Sequence, residues 1–192
     1  MALKADSTFH ATHHTPFKSK TIMTDPTNHV FYTAGQPAPP FKVTATKSGR
    51  QVSQSDCRGT VLGLIFHGRD NYQAAVDVNT AVRPVFPSAT ELTLASVLDL
   101  TIVPRLLQGA VKPMLEKAYD QAASQIPAGY DPADYVFLLP DWNGSLYKAF
   151  GVKNAEKMAA LVVIDGAGTV VGSYQGPQPG EAALKLVQQA MG

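Results

Sequence analysis

The sequence predicts an α/β sandwich in which a mixed β-sheet is covered by helices on both faces. Residues Val61–Phe66 are almost continuously apolar, as a strand buried on both faces should be. Pro113–Ile126 and Glu181–Met191 place their apolar residues at helical spacing instead. Strand-like and helical segments alternate until a predicted hairpin and a last helix close the chain. That order is typical of α/β domains.

The N-terminal quarter divides into a polar arm and the start of a folded domain. Residues 1–34 are rich in Thr and His and lack periodicity, which predicts a flexible arm before a single domain at 35–192. Prolines within residues 37–40 favour an extended backbone. Residues 41–46 alternate like a strand, and 51–52 are expected to pair back onto it after a turn.

A helix is predicted directly after the central strand, over Asn71–Phe86. Asp70 or Asn71 is expected to supply its N-cap, and Pro84 should kink or end it. Its proposed apolar face comprises Tyr72, Val78, Val82, Val85 and Phe86. The next strand is predicted at Leu92–Leu100.

The second predicted helix, Pro113–Ile126, has the clearest periodicity. Pro113 suits a first helical turn, and Pro127 with Gly129 should stop the helix. Its proposed apolar face comprises Met114, Leu115, Ala118, Tyr119, Ala122 and Ile126.

The C-terminal third predicts a strand, a short helix, a hairpin and the last helix. Tyr135–Leu139 is the third central strand, followed by a turn at 141–144 and a helix through Phe150. Ala160–Ile164 and Thr169–Tyr174 are joined by an Asp-Gly-Ala-Gly sequence, a strong hairpin signal.

Composition excludes several classes of function. The 192 residues include 16 basic and 15 acidic ones, so no strong basic field favours nucleic acid. No apolar run approaches the ~20 residues that span a bilayer, and the N-terminus lacks a secretory pattern. A single cysteine excludes an internal disulfide. We therefore predict a cytoplasmic protein without a membrane span or nucleic-acid partner. No motif indicates a cofactor or a preformed metal site, so none is predicted.

Several motifs, in the correct order, resemble the peroxiredoxin and TlpA-like branch of the thioredoxin superfamily. They are Gly35–Phe41, Ser53–Gly59, Leu138–Asp141 with Tyr147–Val152, and the hairpin start Val162–Gly168. The resemblance covers about residues 35–192 and implies a thioredoxin-like three-layer sandwich with a central mixed sheet.

The same resemblance implies that the family's reactive groups are absent. In that family, the loop and first helical turn after the central strand carry the reactive cysteine, often in a C-x-x-C motif. The matching positions hold Asn71 and Ala74. A cis-proline usually precedes the hairpin strand, where this chain has Lys157, Met158 and Ala159. The expectation is a redox-inactive domain that binds or scaffolds another protein, with no catalytic residue.

Candidate binding residues cluster at the carboxyl end of the central strand, the usual place for a ligand crevice in α/β proteins. Trp142, the only tryptophan, is either a packed aromatic or a partner anchor. The complete predicted set is His67, Arg69, Asp70, Asn71, Tyr72, Trp142 and Ala159.

Three alternatives remain open at this stage. Cys57 is expected to be a buried apolar side chain, but Arg58 beside it leaves a reactive thiol, and so an atypical peroxidase, possible. His67 near a carboxylate is the basis for a non-redox enzyme. His10, His13 and His14 form an H-x-x-H-H sequence that suits a metal only if the backbone folds around it.

Overall fold

A computed structural model describes residues 31–192, and within them the backbone but not the side chain of Cys57. His10, His13 and His14 therefore lie outside the described residues, as do residues 1–30 of the predicted arm and the Cys57 side chain, which was expected to be buried. The described chain begins with Phe31 and Tyr32, which pack against the core. Both backbone N–H groups donate to the Ser173 hydroxyl. The domain boundary at residue 35 stays a prediction.

The central sheet has five strands in the order β5-β4-β3-β6-β7. Strands β3, β4 and β5 are parallel, whereas β6 and β7 run antiparallel to their neighbours. A separate antiparallel pair consists of β1 (Lys42–Thr44) and β2 (Gln51–Ser53). The central strands are β3 (Val61–His67), β4 (Leu92–Asp99), β5 (Phe137–Asp141), β6 (Ala160–Ile164) and β7 (Val170–Gln175). The predicted mixed sheet is confirmed.

Four α-helices accompany the sheet. They are α1 (Gln73–Val82), α2 (Gln108–Ala123), α3 (Ser145–Phe150) and α4 (Pro179–Met191). Short 3₁₀ turns occupy Gln54–Cys57, Arg105–Leu107 and Pro132–Asp134. No helix within residues 31–192 has both the length and the apolar character needed to cross a bilayer.

Strand β3 divides its side chains between two hydrophobic cores because successive residues point to opposite faces. Val61 and Ile65 pack with helices α1 and α4, together with Leu161 of β6. Leu64 and Phe66 join the other core, with α3 and the β1–β2 pair. All seven residues of β3 are buried. Helices therefore cover both faces, as the sequence predicts.

The start of α1 differs from the prediction. The helix begins at Gln73, and its N-cap residue Tyr72 makes no side-chain capping hydrogen bond. Neither Asp70 nor Asn71 caps it, because Asp70 pairs with Arg69 and the Asn71 amide bonds to neighbouring loops. The predicted apolar face of this helix also includes two residues that the structure does not bury, since Tyr72 and Val85 are exposed.

Helix α2 begins five residues before the prediction, so Pro113 lies inside it rather than in its first turn. A proline there removes the N–H that would bond to the carbonyl of Gly109, four residues earlier. The helix buries Leu115 and Tyr119, whereas Met114 and Ala118 of the predicted face are exposed. The helical spacing of apolar residues in α2 is present as predicted, but residues 31–192 bury only some of them.

The contact between helices α1 and α4 can be tested with two glycines, each of which is the second residue of its helix. A Cβ on Gly180 of α4 would lie 2.8 Å from the Asp77 carbonyl oxygen of α1, whereas one on Gly109 of α2 meets nothing within 4 Å. We expect Gly180→Ala to lower the free energy of unfolding by about 1–3 kcal/mol. Gly109→Ala should instead raise it by up to about 1 kcal/mol. Urea denaturation measures both, and equal effects would contradict the α1–α4 contact.

Candidate functional site

The three parallel strands end at one edge of the sheet, which we call the carboxyl edge. Their last residues are His67, Asp99 and Asp141. In the ladder His67 lies opposite Leu98, and Asp99 opposite Asp141. Polar side chains of adjacent strands therefore gather where ligands usually bind in open α/β sheets.

His67 is buried at this edge, and its ring has one hydrogen-bonding partner among residues 31–192. Nδ1 lies 2.9 Å from the Gly68 carbonyl oxygen, so it carries the proton and donates to that oxygen. Nε2 is buried and accepts no hydrogen bond from residues 31–192. Burial lowers the pKa of the imidazole, and the bond to Gly68 opposes this effect without reversing it. His67 is therefore neutral and shielded from a dissolved substrate.

Asn71 joins the two loops that flank the end of β3. Its Oδ1 accepts a 2.7 Å hydrogen bond from the Gly68 N–H, and its Nδ2 donates a 2.7 Å bond to the Ala155 carbonyl. The loops approach closely, because a Cβ on Gly68 would lie 2.9 Å from the Cα of Glu156. Both ends of the Asn71 amide are engaged in holding this contact.

Asp141 supplies the anion that holds the start of α3. Its carboxylate is buried and accepts backbone hydrogen bonds from Ser145, Leu146 and Tyr147 at 2.8–3.1 Å. These N–H groups have no partner within the helix, so a carboxylate satisfies them and interacts favourably with the helix dipole.

Tyr147 then connects α3 to the carboxyl edge. Its hydroxyl lies 3.3 Å from the carbonyl oxygens of both His67 and Val97. Burial raises the pKa of this phenol far above its usual value, and the charge of Asp99 adds to the shift. The group is a neutral donor, and its ring packs edge-on against Phe66 at 5.1 Å.

The exposed part of the site lies on the β3–α1 loop. Arg69 and Asp70 are exposed and form a 3.1 Å ion pair with each other. Tyr72 is 60% exposed, which is high for a large aromatic side chain. An exposed ion pair adds little to stability, and Tyr72 adds little to the core. These three side chains are free to contact a partner.

The remaining predicted residues divide between buried and peripheral positions. Ala159 is buried just before β6, whose first residue Ala160 pairs with Phe66 of β3. Trp142 is half-buried and follows Asp141 at the end of β5, two strands from β3. The structure thus brings His67, Asn71 and Ala159 to one place, with Arg69, Asp70 and Tyr72 outside it.

The site has no groups for thiol or metal chemistry among residues 31–192. Position 71 is an asparagine, position 74 is a buried alanine, and no described peptide bond is cis. Three metal-ligating side chains do not gather anywhere in this part of the chain. The arrangement can present a surface, and it holds neither the thiol nor the cis-proline that the resemblance associates with disulfide exchange.

Sequence reasoning missed Asp141 and Tyr147. The sequence alone does not distinguish Asp141 from Asp131 and Asp134, which also lie beside proline-containing turns. A usable signal was nevertheless present, because an aspartate that ends a buried strand precedes a Gly-Ser pair and a short helical segment. Tyr147 has no comparable signal, since its two acceptors lie 80 and 50 residues away in sequence.

Asp141→Asn should show how strongly the carboxyl edge depends on this anion. An amide retains one oxygen but turns an NH₂ group towards backbone donors, so we expect a loss of about 2–3 kcal/mol in the free energy of unfolding. Asp131→Asn is the control, because the exposed Asp131 accepts a single bond from the Ala133 N–H. Asparagine caps almost as well there, and a change below about 0.5 kcal/mol is expected. Similar losses in both variants would refute a special role for Asp141.

His67 should make stability depend on pH. The unfolded chain protonates this residue near pH 6.5, whereas the native imidazole resists protonation. The unfolded state therefore binds more protons below that pH, and the free energy of unfolding should fall as the pH drops from about 7.5 to about 5.5. The slope attributable to His67 is at most about 1.4 kcal/mol per pH unit. In urea titrations, His67→Asn should lack this contribution, and parallel curves for the two proteins would contradict it.

Comparison with known proteins supports the fold. No protein-family model and no curated protein sequence matches the chain. Among solved structures, one from Chlorobium tepidum named as a thiol:disulfide interchange protein DsbE is 20% identical, with a TM-score of 0.57 over 84% of this chain and 99% of its own.

Two further solved structures show the same likeness. One from Bacteroides thetaiotaomicron named as a protein disulfide isomerase is 18% identical, with a TM-score of 0.58 over 84% of this chain and 91% of its own. The exposed lipoprotein thioredoxin of Streptococcus pneumoniae is 17% identical, with a TM-score of 0.55 over 78% and 98%. This chain has a thioredoxin-like fold with a single cysteine.

Proposed function

We propose that this protein is a redox-inactive thioredoxin-like domain that binds another protein at its carboxyl edge. The observation that carries the proposal is the state of Asn71. It stands where the resemblance places the reactive thiol, and both ends of its amide bond to neighbouring loops. An amide in that position can neither attack a disulfide nor form one.

The position of Cys57 supports the loss of thiol exchange. Residue 57 ends a 3₁₀ turn that precedes β3, whereas the β3–α1 loop follows β3. Seven strand residues separate the two ends by about 20 Å. A thiol there does not replace one at position 71. The His67 alternative is also disfavoured, because that side chain is buried and its Nε2 is closed to solvent.

The exposed side chains of the β3–α1 loop support a protein as the partner. Tyrosine and arginine are the residue types that most often dominate protein–protein binding energy. Tyr72 and Arg69 both face solvent here, with Asp70 beside them. One similar solved structure is named as a protein disulfide isomerase, and we transfer from it only the class of partner.

The compartment is likewise a proposal. We propose the cytoplasm, because a chain with one cysteine gains no internal disulfide from an oxidising environment. The likeness to an exposed lipoprotein does not favour that compartment.

Binding of an unfolded protein tests the proposal directly. Reduced and alkylated α-lactalbumin, which stays unfolded and carries no thiol, is the probe. We expect Tyr72→Ala to weaken its binding about tenfold, measured by fluorescence anisotropy. Tyr130→Ala is the matched control, because Tyr130 is 52% exposed against 60% for Tyr72 and does not belong to the β3–α1 loop. No binding by the wild type, or equal losses in the two variants, would contradict the proposal.

Turnover assays complete the same test. With dithiothreitol as reductant, the wild type and Cys57→Ser should both fail to consume peroxide or to reduce insulin disulfides. Peroxide turnover that disappears in Cys57→Ser would instead establish the atypical peroxidase.

A further inference from the structure

The loop after β4 and the start of α2 present four large apolar side chains to solvent. Leu106 is 97% exposed, Ile102 88%, Met114 63% and Leu107 54%. We call these four residues the apolar tip. Single exposed apolar residues are ordinary, but four within thirteen positions form a patch of the kind that marks an interaction site.

The far half of α2 holds the apolar tip in place. Leu115 and Tyr119 are buried, and the Lys47 ammonium lies 5.8 Å from the Tyr119 ring while also pairing with Asp120. Leu107 lies in the 3₁₀ turn that precedes α2, whereas Met114 lies within the helix, next to the buried Leu115. The buried Leu115 is rotated by about 100° from Met114. Residues 31–192 therefore leave more than half of each of the four side chains uncovered.

The apolar tip itself carries only basic residues. Between Ile102 and Met114 the charged residues are Arg105 and Lys112, both exposed, whereas the acidic Asp99 and Glu116 lie just outside this segment. The Asp99 carboxylate is engaged by the backbone N–H and hydroxyl of Thr101. The chain as a whole is almost balanced, with 16 basic and 15 acidic residues. A local excess of cations beside exposed apolar side chains is complementary to a surface that is anionic outside and apolar beneath.

The near-complete exposure of Leu106 and Ile102 distinguishes between possible partners. Such exposure means that residues 31–192 provide almost no wall around either side chain, so the tip is convex. A folded protein needs a matching pocket to receive a convex apolar tip, whereas a lipid interface adapts to its shape. We propose that the apolar tip inserts into the interface of a membrane rich in anionic lipids, with Arg105 and Lys112 against the headgroups.

This inference goes beyond the proposed function, because it uses a different loop and a different class of partner. It describes a protein that lies on a membrane and does not span it. Tyr72 belongs to the β3–α1 loop, so Tyr72→Ala should bind vesicles as the wild type does. Loss of vesicle binding in that variant would overturn the assignment to the apolar tip.

Vesicle sedimentation with the full chain tests the inference. The probes are vesicles of phosphatidylcholine alone and of phosphatidylcholine with an equal amount of phosphatidylglycerol. We expect binding to the anionic vesicles, weakened at least tenfold by Leu106→Asp. Val85→Asp is the matched control, because Val85 is 52% exposed and follows the C-terminal end of α1, away from the tip. It should bind like the wild type.

A charge reversal, Arg105→Glu with Lys112→Glu, should weaken binding several-fold, and added salt should have the same effect on the wild type. Thermal unfolding checks that every variant folds.

Absence of binding, or equal binding to neutral and anionic vesicles, would overturn the inference. So would concentration-dependent self-association that Leu106→Asp abolishes, because the tip would then contact a second copy of the chain.

Discussion

Burial of β3 on both faces is the constraint on which the rest of this structure depends. Every residue of the strand is buried, so each face needs its own cover of apolar side chains. Helices α1 and α4 supply one cover, and α3 with the β1–β2 pair supplies the other. Any substitution that opens either face exposes the same central strand, which couples the two cores.

A strand buried along its whole length must also satisfy its polar groups where it ends. At the carboxyl edge three side chains make the hydrogen bonds that satisfy these groups and hold the adjoining loops. Asn71 joins the two flanking loops, Tyr147 donates to the carbonyls of His67 and Val97, and Asp141 holds the helix that carries Tyr147. These groups resemble a catalytic cluster in composition. Their hydrogen bonds hold the edge together, as buried polar groups generally must be satisfied.

The sequence was informative where a signal is local and strongly periodic. The continuous apolar run of β3 and the turn at Asp165 and Gly168 predicted a central strand and a hairpin, and both are present. It was less informative where the deciding contact is distant. Asn71 has a carbonyl partner 84 residues away, so its side chain was mistaken for a cap. Met114 was predicted to lie on a buried face, but it is exposed. Periodicity shows which side of a helix is apolar, but it does not show whether another element packs against that side.

The side chains that the fold does not use point to the functions that we propose. His67, Asn71 and Asp141 are engaged in the interior, whereas Tyr72 and the apolar tip contribute little to the cores. Tyr72 follows β3 and the tip follows β4, and these strands are parallel neighbours. Both surfaces therefore follow the carboxyl edge of the sheet. A domain resting on lipid through the tip would keep its protein-binding loop close to the membrane surface, so the two proposed partners would meet at one end of the molecule.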